Sequence, residues 1–386
     1  MELTILMPCL NEERTLEICI NKAKTFLDTN NVNGEILIAD NGSTDNSKEI
    51  VTALGLNDSR IRLVEVEEKG YGAALICGCN NAQGKYVIMG DSDDSYDFLN
   101  LMPFLDKLRD GYELVMGNRF KGGIEKGAMP LLHKYLGNPV LSFIGRVLYK
   151  SDINDFHCGL RGYNRESILK LNLHTLGMEY ASEMVVQATL HKLKITEVPT
   201  TLKKDGRDRP PHLRSWSDGW RHLTFLLMHS PSWLFLYPGL FLFLIGTICS
   251  GIIIVFDVVV SGIHFDVNTL IYTSVISIIG FQLLLYYVLT KKYAISTKFI
   301  PITKIDNYLI KFTMNKGIFI GSLLVLIGLI GSILAVFCWS LHDFGSLNAS
   351  QMLRLTIPTL ITFVCGIQLM FSSFFLGILE IKIKKE

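Results

Sequence analysis

Two aspartates with one residue between them follow an apolar segment in the first quarter of the chain. Residues 86–91 are predicted to form a strand, and Asp91 and Asp93 stand at its end. In this arrangement both carboxylates reach one divalent ion, and Mg²⁺ or Mn²⁺ binds one or two carboxylates and completes its shell with substrate phosphates. The spacing therefore predicts a metal site for a diphosphate-bearing substrate. The pattern leaves a second interpretation open, a solvated loop in which Asp94, Ser95 and Asp97 cap the next helix.

Further polar residues follow other apolar segments. Asn11 and Glu12 come after the first segment, and Asp40 ends the second. A carboxylate such as Asp40 can accept hydrogen bonds from a base or a ribose, but aspartate also stabilises turns, so the pattern leaves both roles open. Lys69 and Gly70 open a glycine-rich turn whose backbone N–H groups can receive a phosphate.

Short strands that alternate with amphipathic stretches must position these residues. The predicted strands are 3–7, 35–40, 61–65, 86–91 and 114–118. Such alternation predicts an α/β fold with a parallel sheet. Ligands of these sheets bind outside the carboxyl ends of the strands, so we expect the polar residues above to share one acidic cleft.

Charge and hydropathy divide the chain into two parts. The chain has 37 Lys and Arg against 36 Asp and Glu, a formal net charge of +1, which is not the basic character of a nucleic-acid-binding protein. Charged side chains make up roughly a quarter of the first 230 residues and roughly a tenth of the rest. We therefore predict a cytosolic domain at 1–202, a basic juxtamembrane segment at 203–232 and a membrane domain at 233–386. Its predicted spans are 233–256, 268–290, 317–340 and 355–379.

The lysines are distributed unevenly among the connectors of the predicted spans. The connector after the second span and the end of the chain are rich in lysine, whereas Asp257, Asp266 and Asp343 lie in the other connectors. Because Lys and Arg are retained on the cytoplasmic side, this bias predicts a multi-pass protein of the plasma membrane with both termini in the cytoplasm. The four spans can pack within one chain or between the copies of a homo-oligomer, and both arrangements stay open.

The segment 203–232 combines basic residues with tryptophans. Arg207, Arg209 and Arg221 lie in it, together with Trp216 and Trp220. Basic residues beside tryptophans next to a membrane span are typical of contact with anionic head groups. General anchoring at the membrane surface and specific binding of a lipid phosphate both stay open.

The motifs, taken in order, resemble those of the family 2 glycosyltransferases with the GT-A fold, in particular the polyprenyl-phosphate branch that includes dolichol-phosphate mannose synthase and undecaprenyl-phosphate glucosyltransferase. The motifs that carry the resemblance are Pro8-Cys9-Leu10-Asn11-Glu12, Asp40-Asn41-Gly42-Ser43-Thr44-Asp45, Lys69-Gly70-Tyr71-Gly72, Asp91-Ser92-Asp93, Gly117-Asn118-Arg119, Cys158-Gly159-Leu160-Arg161 and Glu197-Val198-Pro199. Each motif is weak by itself, and their order makes the set specific.

The resemblance implies a membrane-bound, inverting sugar transferase that uses a nucleotide sugar, with UDP preferred over GDP, and a polyprenyl phosphate. Asp91 and Asp93 are implied to hold the metal. The implied nucleotide-binding residues are Pro8, Asn11, Glu12, Asp40, Lys69, Gly70 and Asp91. The implied lipid-phosphate-binding residues are Arg119, His133, Lys134, Asn138, Arg161, Arg207 and Arg209. Asn41 departs from the family pattern, which has a second aspartate at this position.

The acceptor decides which catalytic groups are needed. A lipid phosphate has a second pKa of about 6 and is mostly dianionic at neutral pH, so its oxygen can attack without a strong base. Asp91, Asp93, Arg119 and Arg207 are then the catalytic candidates. A hydroxyl acceptor would need a general base, for which Asp155 and Glu183 are the candidates. The sequence lacks the Gln-x-x-Arg-Trp element of processive polysaccharide synthases, and a flippase or a non-catalytic accessory protein stays open as the alternative.

Overall fold

The computed structural model describes residues 1–207, 215–297, 300–302, 306, 309, 311–346 and 348–380. The chain divides into two compact units, Met1–His229 and Ser230–Glu386. The first unit has an α/β fold, and the second consists mainly of long apolar helices. This is the division into fold classes that the composition predicted.

A seven-stranded sheet forms the centre of the first unit, with strand order β3-β2-β1-β4-β6-β5-β7. The strands are β1 Leu3–Cys9, β2 Gly34–Asp40, β3 Ile61–Glu65, β4 Tyr86–Met89, β5 Leu114–Asn118, β6 Arg161–Asn164 and β7 Ile195–Pro199. Strand β6 runs antiparallel to its neighbours β4 and β5, and the other pairs are parallel. The sheet is therefore mostly parallel, as the sequence predicted.

The five predicted strands are confirmed with small changes at their ends. Strand β1 extends to Cys9, and β4 ends at Met89, so Asp91 lies in the loop that follows. Strands β6 and β7 were not predicted. The Arg-Gly-Tyr-Asn sequence of β6 has neither a β-branched residue nor an alternating apolar pattern, so it carries no strand signal of its own.

Helices cover both faces of the sheet. In chain order they are α1 Leu16–Thr29, α2 Ser47–Asn57, α3 Tyr71–Asn81, α4 Met102–Arg109, α5 Arg119–Gly122, α6 Asn138–Tyr149, α7 Arg165–Lys170, α8 Tyr180–Leu190 and α9 Ser215–Met228. Side chains of β1 alternate between two buried cores, because successive residues of a strand point to opposite faces. Leu3, Ile5 and Met7 pack with α1 and α4, whereas Leu6 packs with α3 and α8.

The register of the central strands brings their carboxyl ends together. Cys9 of β1 is paired with Asp40 of β2, and Leu6 of β1 is paired with Met89 of β4. The residues that follow β1, β2 and β4 therefore lie at one end of the sheet. This is the end at which parallel α/β sheets bind their ligands.

The second unit contains four helices, among the described residues, that are long and apolar enough to cross a membrane. These segments are Ser232–Val255, Val267–Ser296, Met314–Ser340 and Ser350–Leu379. We label the helices α10 Tyr237–Val255, α11 Val267–Ser296, α12 Met314–Ser340 and α13 Ala349–Leu379, with the hairpin strands β8 Val258–Val260 and β9 Ile263–Phe265 between α10 and α11. Each helix overlaps one predicted span, and α11 continues to Ser296, beyond the predicted end at position 290.

Glycines allow the membrane helices to approach each other closely. A methyl group at Gly246 of α10 would lie 2.5 Å from the Ser277 nitrogen of α11, and one at Gly321 of α12 would lie 2.9 Å from the Gly366 carbonyl oxygen of α13. Small residues at such contacts are how helices pack inside membranes. The Gly317–Gly321 face of α12 is thus used within the chain, against α13.

Candidate active site

The loops after β1 and β2 are joined by short hydrogen bonds. The backbone N–H of Asn11 donates to Ser43 Oγ at 2.8 Å, and Asn11 Oδ1 accepts from the Thr44 N–H at 2.7 Å. The N–H of Glu12 donates to Ser47 Oγ at 2.9 Å. The Ser-Thr-Asp-Asn-Ser segment therefore fixes the position of the Asn-Glu segment, and the two loops lie side by side where the sequence predicts the cleft.

Asp40 shapes the turn that follows β2. It is 1% exposed, and its carboxylate accepts from the N–H groups of Gly42 and Ser43, both at 3.0 Å. Lys48 lies 3.6 Å from the same carboxylate. Of the two roles that the sequence left open, this geometry establishes the turn, and nucleotide binding by Asp40 stays a prediction.

Asn41 links the end of β2 to the glycine-rich turn, a role that sequence reasoning missed. Its Nδ2 donates to the Glu68 carbonyl and its Oδ1 accepts from the Gly70 N–H, both at 2.7 Å. These opposite roles require an amide, which explains in physical terms why a second aspartate would not serve here. The Lys69 ammonium donates to the Asn41 carbonyl at 3.1 Å, and a Cβ at Gly42, where φ is +87°, would collide with it.

Asp91 and Asp93 lie together in the loop after β4. Asp91 accepts from the Tyr71 hydroxyl at 3.0 Å, and Gly159 approaches it so closely that a Cβ there would lie 2.5 Å from Oδ2. Asp93 accepts from the Ser95 hydroxyl at 2.6 Å and from the Ser95 N–H at 3.1 Å. Burial, with the negative charge of Asp93, raises the pKa of Asp91 to about 6. The loop thus holds the Asp93 carboxylate close enough to contribute to the raised pKa of Asp91.

Hydrogen bonds from neighbouring elements hold this loop in place. Ser92 Oγ donates to the Pro8 carbonyl at 2.8 Å, and Thr15 Oγ1 donates to the Ser92 carbonyl at 2.8 Å. Asp94 has a φ of +62° and pairs with Lys22 at 2.6 Å. The following helix, α4, starts only at Met102, and its N-cap has no side-chain hydrogen bond. The interpretation that Asp94, Ser95 and Asp97 cap the next helix is therefore wrong.

Arg207 pairs with the carboxylates of this cleft. Its Nη2 lies 2.8 Å from Glu12 Oε1 and 3.2 Å from Asp93 Oδ2, and its Nε donates to Glu12 Oε2 at 3.1 Å. The preceding Gly206 N–H donates to the Asp93 carbonyl at 3.0 Å. The arginine that the sequence assigned to an acceptor phosphate thus lies, in this structure, beside the aspartates assigned to a metal.

The donor set fits a hard divalent cation. Among the described residues, no group of three or more His, Cys, Asp and Glu side chains is arranged to hold a metal, so Asp91 and Asp93 would have to suffice. Two carboxylates do suffice for Mg²⁺ or Mn²⁺ when substrate phosphates complete the shell. The guanidinium of Arg207 lies 3.2 Å from Asp93, so a cationic side chain already pairs with one of the two carboxylates.

Arg119 and Asp155 pair with each other. Arg119 Nε and Nη2 donate to Asp155 Oδ2 and Oδ1 at 2.8 and 2.7 Å, and the Arg119 N–H donates to Oδ2 at 3.1 Å. Arg119 is 7% exposed and Asp155 is fully buried. The sequence had placed Arg119 on the acceptor phosphate and Asp155 as a base. The structure instead gives both side chains a structural role in joining the end of β5 to the 155–160 segment.

Arg161 is also a structural residue. Its guanidinium is fully buried and donates to the carbonyls of Cys158, Ala181 and Phe156 at 2.7, 2.7 and 2.9 Å. These bonds connect β6 to the start of α8. The prediction that Arg161 contacts the lipid phosphate does not fit this burial, because a phosphate cannot reach a guanidinium that is enclosed by protein.

Glu183, the other candidate base, is held in the same way. Its side chain is fully buried and accepts from the backbone N–H and the hydroxyl of Thr175, at 2.9 and 2.5 Å, and from the His174 N–H at 3.2 Å. Its carboxylate therefore stabilises the turn before α8. Both candidate bases, Asp155 and Glu183, are thus buried carboxylates that already accept hydrogen bonds within the fold.

The remaining predicted acceptor residues lie along one helical segment. His133 and Lys134 belong to a π turn, His133–Gly137, and Asn138 is the first residue of α6; all three are half-buried. Arg209 lies outside the described residues. The same segment exposes a row of apolar side chains, Leu132, Leu136, Val140, Phe143 and Val147. The structure thus brings three polar candidates onto one amphipathic element but does not show them near Asp91.

Comparison with known proteins identifies the class to which this architecture belongs. The model of "Glycosyl transferase family 2" matches residues 4–171, and that of "Glycosyltransferase family 2 C-terminal transmembrane region" matches residues 288–380. The low-salt glycan biosynthesis hexosyltransferase Agl6 of Haloferax volcanii is 33% identical over 97% of this chain and 88% of its own length. The chain therefore belongs to glycosyltransferase family 2 and is a membrane-bound hexosyltransferase of the GT-A fold.

Two other relatives carry names that state a lipid acceptor. The dolichyl-phosphate hexose transferase of Haloferax volcanii is 28% identical over 51% of this chain and 81% of its own length. The dolichyl-phosphate beta-glucosyltransferase ALG5C of Trichomonas vaginalis is 26% identical, over 53% of this chain and 64% of its own.

Proposed function

We propose that this protein transfers a sugar from a nucleotide sugar, preferably a UDP-sugar, to the phosphate of a polyprenyl lipid. The observation that carries the proposal is the cluster of Asp91, Asp93 and Arg207 beside the carboxyl ends of the central strands. It combines two carboxylates that would hold a metal for the diphosphate with a guanidinium that would bind a second phosphate. The names of the dolichyl-phosphate relatives support the same acceptor. The lipid-linked sugar would serve as a donor for the synthesis of a cell-envelope glycan or for glycosylation.

The donor would bind at the loops after β1 and β2. In this proposal Pro8, Asn11, Glu12 and Asp40 surround the nucleoside, and Lys69 with the Gly70 backbone approaches the diphosphate. Asp91 and Asp93 would hold a Mg²⁺ or Mn²⁺ ion, which when bound would supply positive charge to stabilise the departing nucleoside diphosphate.

The acceptor phosphate would attack the sugar without help from a protein base. An oxygen of the phosphate dianion forms a bond to the anomeric carbon as the bond from that carbon to the nucleoside diphosphate breaks, so the configuration inverts. The burial of both candidate bases, Asp155 and Glu183, supports this acceptor over a hydroxyl, because each carboxylate is already occupied within the fold. Arg207 would contact the acceptor phosphate, and His133, Lys134 and Asn138 would lie on the lipid side. The bidentate fork of an arginine suits phosphate oxygens.

We also propose the orientation of the chain in the membrane. The lysine-rich connector between α11 and α12 favours the cytoplasmic side for the first unit and for both termini. Nucleotide sugars are made in the cytoplasm, which is consistent with this orientation. A protease that cleaves the first unit in right-side-out cells, from outside, would contradict it.

The proposal is tested with the full chain purified in detergent. The protein is incubated with Mg²⁺ or Mn²⁺, a polyprenyl phosphate and each member of a panel of UDP- and GDP-sugars, and the released nucleotide and the lipid product are both measured by mass. We expect one sugar to move to the lipid with release of one nucleoside diphosphate. Asp93→Asn serves as the inactive control. Hydrolysis of a nucleotide sugar without a lipid product, across the whole panel, would contradict the proposal.

A further inference from the structure

Arg207 pairs with Glu12 and Asp93, and both a divalent cation and an acceptor phosphate would compete for these contacts. We propose that Arg207 is the resident counter-ion of the metal site: without metal it neutralises Asp93 and Glu12, and a divalent cation on Asp93 displaces it toward the acceptor phosphate. The part that concerns the phosphate rests on the proposed function. The part that concerns the metal rests on the geometry of the cleft alone.

The contacts of a single nitrogen carry the inference. Nη2 of Arg207 lies 2.8 Å from Glu12 Oε1 and 3.2 Å from Asp93 Oδ2, so the same N–H donors serve two carboxylates. The three side chains are largely buried, with exposed fractions of 17% for Arg207, 4% for Glu12 and 10% for Asp93. A phosphate that uses this end of the guanidinium must therefore replace these carboxylates.

A metal ion and the guanidinium would oppose each other at Asp93. Mg²⁺ binds oxygen ligands at roughly 2.0–2.1 Å, and Nη2 is already within hydrogen-bonding distance of the Asp93 carboxylate. Two cations at this separation repel each other strongly in a partly buried site. Occupation by the metal therefore weakens the contact between Arg207 and Asp93, and removal of the Arg207 charge should strengthen metal binding.

The exchange is proposed as a movement of the side chain, because hydrogen bonds hold the backbone that precedes Arg207. The Gly206 N–H donates to the Asp93 carbonyl at 3.0 Å, and the Lys203 N–H donates to the Ser95 carbonyl at 2.9 Å. Gly206 also packs so closely that a Cβ there would lie 2.7 Å from Thr15 Cγ2. The segment 203–206 is thus attached to the metal-binding loop itself, and the guanidinium leaves from an anchored backbone.

The first test measures metal binding, with Mn²⁺ alone as the probe and no sugar, nucleotide or lipid. Free Mn²⁺ is followed by electron paramagnetic resonance during titration of the full chain in detergent. We expect Arg207→Gln to bind Mn²⁺ about tenfold more tightly than the wild type, because a positive charge near the ion is removed. Arg207→Lys keeps the charge and should stay within about twofold of the wild type.

Arg109→Gln is the matched control, because it removes an arginine from an exposed ion pair with Glu2, and it should leave Mn²⁺ affinity unchanged. Equal Mn²⁺ affinity of Arg207→Gln and the wild type, including no detectable binding by either, would overturn the inference.

The second test measures binding of farnesyl phosphate and needs no variant of Arg207. Metal-free Asp93→Asn should bind farnesyl phosphate about threefold more tightly than the metal-free wild type, because one of the two carboxylates that hold Arg207 has lost its charge. The inactive variant would thus be the better binder. Tighter Mn²⁺ binding by Arg207→Gln, with unchanged binding of farnesyl phosphate by Asp93→Asn, would overturn the acceptor role of Arg207 and leave its role as counter-ion established.

Discussion

Replacement of Asp155 by asparagine separates a structural role from a catalytic one. Asp155 is fully buried, and three N–H groups of Arg119 donate to its carboxylate. An asparagine of nearly the same volume can accept some of these hydrogen bonds, but it has no charge, and its NH₂ group would face the guanidinium. The variant therefore leaves the positive charge of Arg119 buried without a counter-ion.

The expected loss of stability follows from this burial. Removal of one partner from a buried ion pair lowers the free energy of unfolding by about 3–5 kcal/mol. Because asparagine has nearly the same shape as aspartate, we expect Asp155→Asn to lower it by about 3 kcal/mol. Glu2→Gln is the matched control, because the Arg109–Glu2 pair has similar distances, 2.8 and 3.0 Å, but lies at the surface. An exposed pair of this kind contributes less than about 1 kcal/mol.

The assay is pulse proteolysis of the full chain in detergent over a series of urea concentrations, which reports the free energy of unfolding of the cleaved unit. Replacement of both partners, Arg119→Met with Asp155→Leu, should recover most of the loss because no unpaired charge remains. If Asp155→Asn keeps wild-type stability while sugar transfer stops, our structural assignment is refuted and Asp155 acts as a base.

Three further changes test the cleft. Asp93→Asn should remove most turnover with the fold retained, and a near wild-type rate in buffer with ample metal would contradict the metal assignment. Mn²⁺ affinity should fall about tenfold from pH 7 to pH 5, because the raised pKa of Asp91, about 6, means that its carboxyl is mostly protonated at the lower pH; a flat titration would contradict this. Asn41→Asp should weaken nucleotide binding about fivefold, since a carboxylate cannot donate to the Glu68 carbonyl. Asn57→Asp, on the exposed end of α2, should have no effect on calorimetric nucleotide affinity.

The parallel part of the sheet and the membrane helices could be predicted because their signals are local. Strands such as β1 and β2 are continuous apolar segments that end in polar residues, and the four spans differ from the rest of the chain in charge. The sequence also predicted that Asn11, Asp40 and Asp91 lie at one end of the sheet, because parallel strands place their carboxyl ends together.

The side-chain partners could not be predicted, because they are distant in the sequence. Asp155 lies 36 residues from Arg119, and Arg207 lies 195 residues from Glu12. The periodicity of apolar residues predicts helices and strands but not contacts between side chains so far apart in the sequence. The sequence therefore does not distinguish an arginine whose guanidinium is buried and bonded to backbone carbonyls, such as Arg161, from one that pairs with carboxylates of the candidate site, such as Arg207.

The glycine-rich turn shows a second limit of sequence reasoning. The family pattern has a second aspartate where this chain has Asn41, and the sequence alone gave no physical reason for the replacement. The structure gives it a physical meaning, because its amide donates to Glu68 and accepts from Gly70. An aspartate could supply only the second of these hydrogen bonds.

The most direct test of the account compares two acceptors that differ only in the phosphate. With the nucleotide sugar that gives product, the purified chain is offered a polyprenyl phosphate or the corresponding polyprenol, and the lipid product is measured by mass. We predict transfer to the phosphate with inversion at the anomeric carbon and no transfer to the alcohol. Efficient transfer to the polyprenol would contradict the central claim, because it would require a general base that neither Asp155 nor Glu183 can provide in this structure.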